Sequence, residues 1–194
     1  HCSANVLDYM GKPHIESYKA FQKRFFQLTK SMGKEQYLVP YLMSSHPGST
    51  LNDAVELALF LKKEKLRPEQ VQDFYPTPGT ISTCMFYTGL DPYTLKPVFV
   101  PKTSQEKAMQ RALLQYFNPK NQELVIHALW AAGRSDLIGT GENCLVRPLP
   151  GSRMSNDRNK QSGGKSHGKG RGSWQKQTTK KRPGEKSRGN GRHR

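Results

Sequence analysis

The chain lacks the marks of several large protein classes. It has no run of eighteen apolar residues, so no transmembrane helix is expected. Its first residues form no apolar segment of the kind a secretory signal needs. There are 3 cysteines, Cys2, Cys84 and Cys144, an odd number at long spacings. A disulfide framework is not expected from them, and reduced thiols in a cytoplasmic protein are. No CxxC or CxxxCxxC is present to hold zinc or an iron–sulfur cluster. GxxxxGK[ST] does not occur, and Gly163-Gly164-Lys165-Ser166 follows no strand pattern, so it is no phosphate loop. No internal repeat of the length that marks a solenoid is visible. Hydrophobic residues make up only 34% of the 194, low for a globular chain of this length.

The charge distribution explains that low figure. Residues 1–150 hold 17 Lys/Arg and 13 Asp/Glu, a net of +4, whereas residues 151–194 hold 14 and 2, a net of +12. The second stretch has two large apolar residues, Met154 and Trp174, and nine of the 17 glycines. Such a segment cannot bury enough surface to offset chain entropy and is expected to be disordered. Gly164–Gly172 resembles Gly/Arg-rich segments that grip RNA through its phosphates, with Lys165, Lys169 and Arg171 as the cations. Trp174 could stack on a base, and Lys180, Lys181 and Arg182 add charge. RNA or another polyanion is therefore a candidate partner; a solvated, weakly selective tail is the alternative. The chain opens on His1 rather than Met, which suggests a processed or truncated polypeptide.

The globular part reads as alternating helices and strands. Ile15, Tyr18, Phe21, Phe25, Leu28 and Met32 recur at steps of three and four, predicting an amphipathic helix over 14–32 that Gly33 ends. Residues 36–43 read as a strand apolar on both faces, as in a buried parallel sheet. Pro40 removes a ladder donor and implies a bulge or an edge. A second helix is expected over 50–64, with Thr50 and Asp53 as a reciprocal cap, and a second strand over 70–75. Residues 76–101, rich in proline and glycine, read as extended and turn-rich. Helices over 104–117, capped by Thr103 with Glu106, and 121–132 are separated by Asn118-Pro119 and predict a helical hairpin. Residues 134–148 read as irregular.

Strand, turn, helix, strand, turn is the grammar of a parallel sheet or barrel, and ligands in such folds sit at the carboxyl ends of strands. The chemistry is therefore expected in two turns. Ser44–Thr50 puts His46, Gly48 and hydroxyls at a helix N-terminus, where unpaired N–H groups can receive a polar ligand group; an ordinary capped loop is the alternative. Tyr75–Thr80 is stiffened by Pro76 and Pro78 and can present backbone to a flat ligand. Asp73 needs a partner in an apolar strand. Cys84 would need a base to act as a nucleophile; His46 could be that base if the turns converge, and a buried inert thiol is the other reading.

Several strings resemble the C-terminal part of the YgiQ-type radical SAM proteins. They are Val6-Leu7-Asp8-Tyr9-Met10-Gly11-Lys12-Pro13, Tyr37–Thr50, Gln70–Thr80 with Ser82-Thr83-Cys84-Met85, Glu106–Arg111 and Asn118-Pro119-Lys120-Asn121. The resemblance implies an α/β fold. Residues 1–75 would be the C-terminal portion of a partial (β/α)6 TIM-like barrel, with 37–43 and 70–75 as its fifth and sixth strands. Residues 76–148 would be a mainly helical extension, and 149–194 the disordered basic tail. His46-Pro47-Gly48-Ser49-Thr50 is similar to the Phe-Pro-Gly-Glu-Thr turn of other radical SAM enzymes. By the resemblance, Tyr41, Leu42, Met43, His46, Gly48, Phe74 and Tyr75 are candidates for the adenine side of an S-adenosylmethionine site. The family's CxxxCxxC triad, which holds the [4Fe–4S] cluster, is absent. The implied enzyme thus needs the missing N-terminal half of the barrel as partner. This chain alone is expected to be inactive and to bind neither cofactor stably.

Overall fold

The computed structural model describes residues 1–150; the basic tail and its expected disorder lie outside the described residues. In chain order the elements are α1 (Ala4–Tyr9), α2 (Ile15–Ser31), β1 (Met43–Ser44), α3 (Leu51–Lys63), β2 (Gln72–Asp73), α4 (Ile81–Thr88), α5 (Ser104–Leu114) and α6 (Gln122–Ala131). Short 3-10 turns stand at Pro119–Asn121 and Ser135–Leu137.

Local chemistry accounts for the helices. Thr50 accepts from the Asp53 N–H while the Asp53 carboxylate accepts from the Thr50 N–H, so two orphan donors at the start of α3 are satisfied reciprocally. Thr103 and Glu106 do the same for α5. The buried face of α3 is Ala54, Val55, Leu57, Ala58 and Leu61. Ala54, Val55 and Ala58 pack with Met109, Ala112 and Leu113 of α5 and with Val125, Ile126, Ala128 and Leu129 of α6. Leu137, Ile138, Leu145 and Val146 complete that core. It therefore joins residues on both sides of position 75, and the boundary expected there does not divide it. A smaller cluster of Leu42, Leu57, Leu61 and Leu114 lies beneath β1.

β1 and β2 pair in parallel, Met43 opposite Gln72 and Ser44 opposite Asp73. The ladder is much shorter than the strands expected over 36–43 and 70–75. Residues 36–42 carry no ladder, and Val39 is 89% exposed. Pro40 has no N–H to donate, and the described residues contain no strand on the far side of residues 36–42 to pair with them. Beyond this pair the described residues add two isolated bridges, Leu90 with Pro97 and Ile138 with Val146.

Two further departures have simple causes. Residues 81–88, expected to be extended, form α4: Thr80 accepts from the Thr83 N–H at its start, and Gly89, at φ +69°, donates to the Met85 carbonyl at its end. Pro76, Pro78 and Pro92 lie outside this interval and break nothing. α1 had no strong pattern, yet it buries Val6 and Leu7. α2 begins and ends almost where its periodicity predicts, but Thr29 alone is buried along it, and Phe21, Phe26 and Leu28 are exposed. Among the described residues, no helix is long and apolar enough to cross a membrane.

Candidate functional site

The carboxyl end of the parallel pair opens into a cavity of about 820 Å³. Tyr41, Leu42, Met43 and His46 reach it from the first strand and its turn, and Phe74 and Tyr75 from the second. Six of the seven residues singled out from the sequence therefore share one cavity. Gly48 is the seventh, and it does not line it. Its N–H donates to the Phe99 carbonyl at 2.7 Å, and its α-carbon faces the Tyr9 ring so closely that a Cβ would lie 2.2 Å from Tyr9 Cδ2. Its role is to let α1 close against the turn.

Much of the remaining wall comes from residues that were not named as binding candidates. Ile15, Tyr18 and Phe21 line the cavity from α2, and Leu57, Phe60 and Leu61 from α3. Thr77 and Thr80 line it from the segment leading into α4, and Ser82 from the first turn of that helix. The signal for the last group was present: Thr80 precedes the apolar run that Gly89 ends, an N-cap and a C-cap at helical spacing.

Polar contacts hold both turns in place. The Asp73 carboxylate accepts from Arg111 Nε at 3.0 Å and from Ser44 Oγ at 2.5 Å, and its second oxygen lies 2.8 Å from the Arg111 guanidinium. The partner that Asp73 needs is therefore an arginine on α5, and the carboxylate ties β1, β2 and α5 together. Gln110, 2% exposed, accepts from the Ser45 N–H at 3.0 Å and donates to the Ser49 carbonyl at 2.8 Å. Ser45 itself sits at φ +62°, a conformation this clamp maintains. The Tyr41 hydroxyl donates to the Gln72 side chain, which links the extended approach to β2.

His46 is 4% exposed, and burial lowers its pKa from the ordinary value of 6.5. Its Nδ1 stands 2.7 Å from the Pro47 carbonyl oxygen and its Nε2 2.8 Å from Ser82 Oγ. The Phe74 ring meets it edge to face at 5.2 Å. The converging turns thus bring His46 to Ser82 rather than to Cys84. Cys84 is exposed, against the expectation of a buried thiol, and does not line the cavity. All three cysteines are unpaired, and burial pushes the Cys2 thiol up to about 11. Among the described residues, no three His, Cys, Asp or Glu side chains cluster so as to hold a metal. Lys165, Lys169, Arg171, Trp174, Lys180, Lys181 and Arg182 lie outside the described residues.

Residues 69–193 match a family described as a domain of unknown function, DUF3362, and the chain belongs to that family. Its curated relatives are UPF0313 proteins, the YgiQ family. One, from Clostridium perfringens strain 13, is 55% identical over 166 residues, which are 85% of this chain and 25% of the relative. Another, from Methanocella arvoryzae, is 54% identical over 149 residues, 77% of this chain and 25% of the relative. A third, from Clostridium botulinum strain 657, is 55% identical over 146 residues, 75% of this chain and 23% of the relative. The chain therefore spans about a quarter of the length of these relatives. No solved structure matches it.

Proposed function

We propose that this chain supplies one wall of the nucleoside pocket of a radical SAM enzyme. The observation that carries the reading is the parallel pair β1–β2, whose carboxyl ends deliver Met43, His46, Phe74 and Tyr75 to one cavity. Ligands of parallel sheets bind at such ends. The cavity suits a flat heterocycle: aromatic and thioether groups offer faces for stacking, and Leu42, Leu57 and Leu61 exclude water beneath them. The sequence strings that resemble the family include both turns.

On this reading β1 and β2 are the fifth and sixth strands of a partial (β/α)6 barrel. The uncovered apolar residues Tyr37, Val39 and Tyr41 are then the edge against which neighbouring strands lie. The described residues offer no ligand set for a [4Fe–4S] cluster. The chemistry that such a cluster supplies, the electron for reductive cleavage of S-adenosylmethionine, belongs on this reading to the three quarters of the relatives that the chain does not span. The part of this chain is to seat and orient the nucleoside.

Two measurements test the proposal. The full-length Clostridium perfringens relative, reconstituted anaerobically with iron and sulfide and reduced with dithionite, should release 5′-deoxyadenosine from S-adenosylmethionine. This chain, treated the same way, should hold no stoichiometric cluster. A relative that holds a cluster and releases no 5′-deoxyadenosine overturns the reading, as does a stoichiometric cluster on this chain alone.

A further inference from the structure

His46 and Ser82 share a proton arrangement with a chemistry of its own. A carbonyl oxygen only accepts, so the 2.7 Å contact to Pro47 places the ring proton on Nδ1 and leaves Nε2 as a bare lone pair. Ser82 Oγ, 2.8 Å from Nε2, must then donate to it. The imidazole cannot readily turn: it is almost wholly buried, pinned at Nδ1 and packed against Phe74. Burial also keeps it neutral near pH 7, the state in which Nε2 can take a proton. Ser82 stands in the first turn of α4, where N–H groups have no intrahelical acceptor and the helix presents its positive end. Both side chains line the cavity, whose far walls at Leu57, Phe60, Leu61 and Leu66 are apolar.

We infer that Ser82 is a nucleophile activated by His46, acting on an ester whose acyl or alcohol part is apolar and fills the cavity. The logic is that of any serine paired with an oriented base; here the Pro47 carbonyl fixes the tautomer. Ser82 Oγ bonds to the ester carbon as its proton passes to His46 Nε2. Collapse of the tetrahedral adduct breaks the ester C–O bond, and the departing alkoxide takes the proton from Nε2. Water then attacks the acyl-serine, giving its proton to the same nitrogen; the acid is released and Ser82 regains its hydrogen. Thr80 takes the Thr83 and Cys84 N–H groups, so on this inference the N–H groups of Ile81 and Ser82 are the ones that would stabilise the oxyanion. This inference does not rest on the nucleoside reading and survives its failure; both use one cavity, so an ester and a nucleoside would compete for it.

The test is an alkyl fluorophosphonate, which phosphonylates activated serines with loss of fluoride, followed by intact-mass measurement and peptide mapping. The expected result is one adduct, at Ser82, absent in Ser82→Ala. Because a positioned general base contributes about 10²-fold or more, labelling of His46→Asn should be slower by about that factor. No adduct at Ser82 in the native chain overturns the inference. So do adducts spread over exposed serines, or an undiminished rate in folded His46→Asn. Should His46→Asn not fold by circular dichroism, the native chain decides: its preference for Ser82 must vanish in urea, and a preference that persists there refutes activation by the fold.

Discussion

Gly48→Ala probes how tightly α1 closes on the turn that carries His46. Gly48 sits at φ +89°, where a side chain is strained whatever its surroundings. An alanine Cβ would also lie 2.2 Å from Tyr9 Cδ2 and 2.8 Å from Cε2, closer than real Cβ contacts come, and 3.0 Å from Cγ. The left-handed conformation costs about 1–2 kcal/mol for a non-glycine residue. Forcing a methyl group into a filled space costs a further ~1–3 kcal/mol, because the Tyr9 ring and the helix behind it must move. Together the substitution should cost about 2–5 kcal/mol, a large share of the stability of an ordinary domain.

The two contributions can be separated. Gly79 has φ +79°, and a Cβ there would meet nothing within 4 Å, so Gly79→Ala carries the conformational cost alone. Urea unfolding followed by far-ultraviolet circular dichroism, extrapolated linearly to water, gives both values. Gly48→Ala should exceed Gly79→Ala by about 1–3 kcal/mol, and the excess should disappear in a Tyr9→Ala background, where the obstructing ring is gone. Costs for the two glycines equal within about 0.5 kcal/mol, or an excess unchanged by Tyr9→Ala, would refute the packing argument.

Gln110→Leu should cost about 2–3 kcal/mol by the same measurement, since it leaves the buried Ser45 N–H without its acceptor; a loss under about 0.5 kcal/mol contradicts the clamp. Thr50→Ala removes the cap of α3 and should lower stability by about 1–2 kcal/mol, whereas Thr50→Ser should recover most of it. His46 is held below 6.5 by burial, so the unfolded chain binds that proton more tightly than the folded one. Its contribution to stability is therefore complete above pH 6.5 and is lost as pH falls through 6.5 towards the folded value. Nuclear magnetic resonance of the ring carbon should show His46 titrating below 6.5, and a midpoint at or above 6.5 contradicts the burial argument.

What could be read from the residues divides along the range of the forces involved. Thr50 with Asp53 and Thr103 with Glu106 fix the starts of α3 and α5 through contacts three residues apart, so the pattern alone locates both. Thr80 and Gly89 mark α4 just as locally; the surrounding prolines suggested an extended segment instead, although Pro76, Pro78 and Pro92 all fall outside the helix. The convergence of the two turns, which hold His46 and Tyr75, followed from the parallel grammar, whereas Met43 and Phe74 were named only through the family resemblance. Gly48 was harder, since its neighbour Tyr9 lies far back in the chain and nothing in the turn itself announces a ring. The same holds for Ser82, whose importance comes from a histidine on another element. The strand expected over 36–43 is the most instructive difference. Its two apolar faces predict cover on both sides, while Pro40 and the lack of a further strand among the described residues leave only Met43–Ser44 paired. A sequence pattern records the environment in which residues were selected, and a ladder needs that environment to be present. On the nucleoside-pocket reading, exposed Val39 and Tyr41 thus carry information about polypeptide that this chain does not include, which is why the apolar pattern and the short ladder agree rather than conflict.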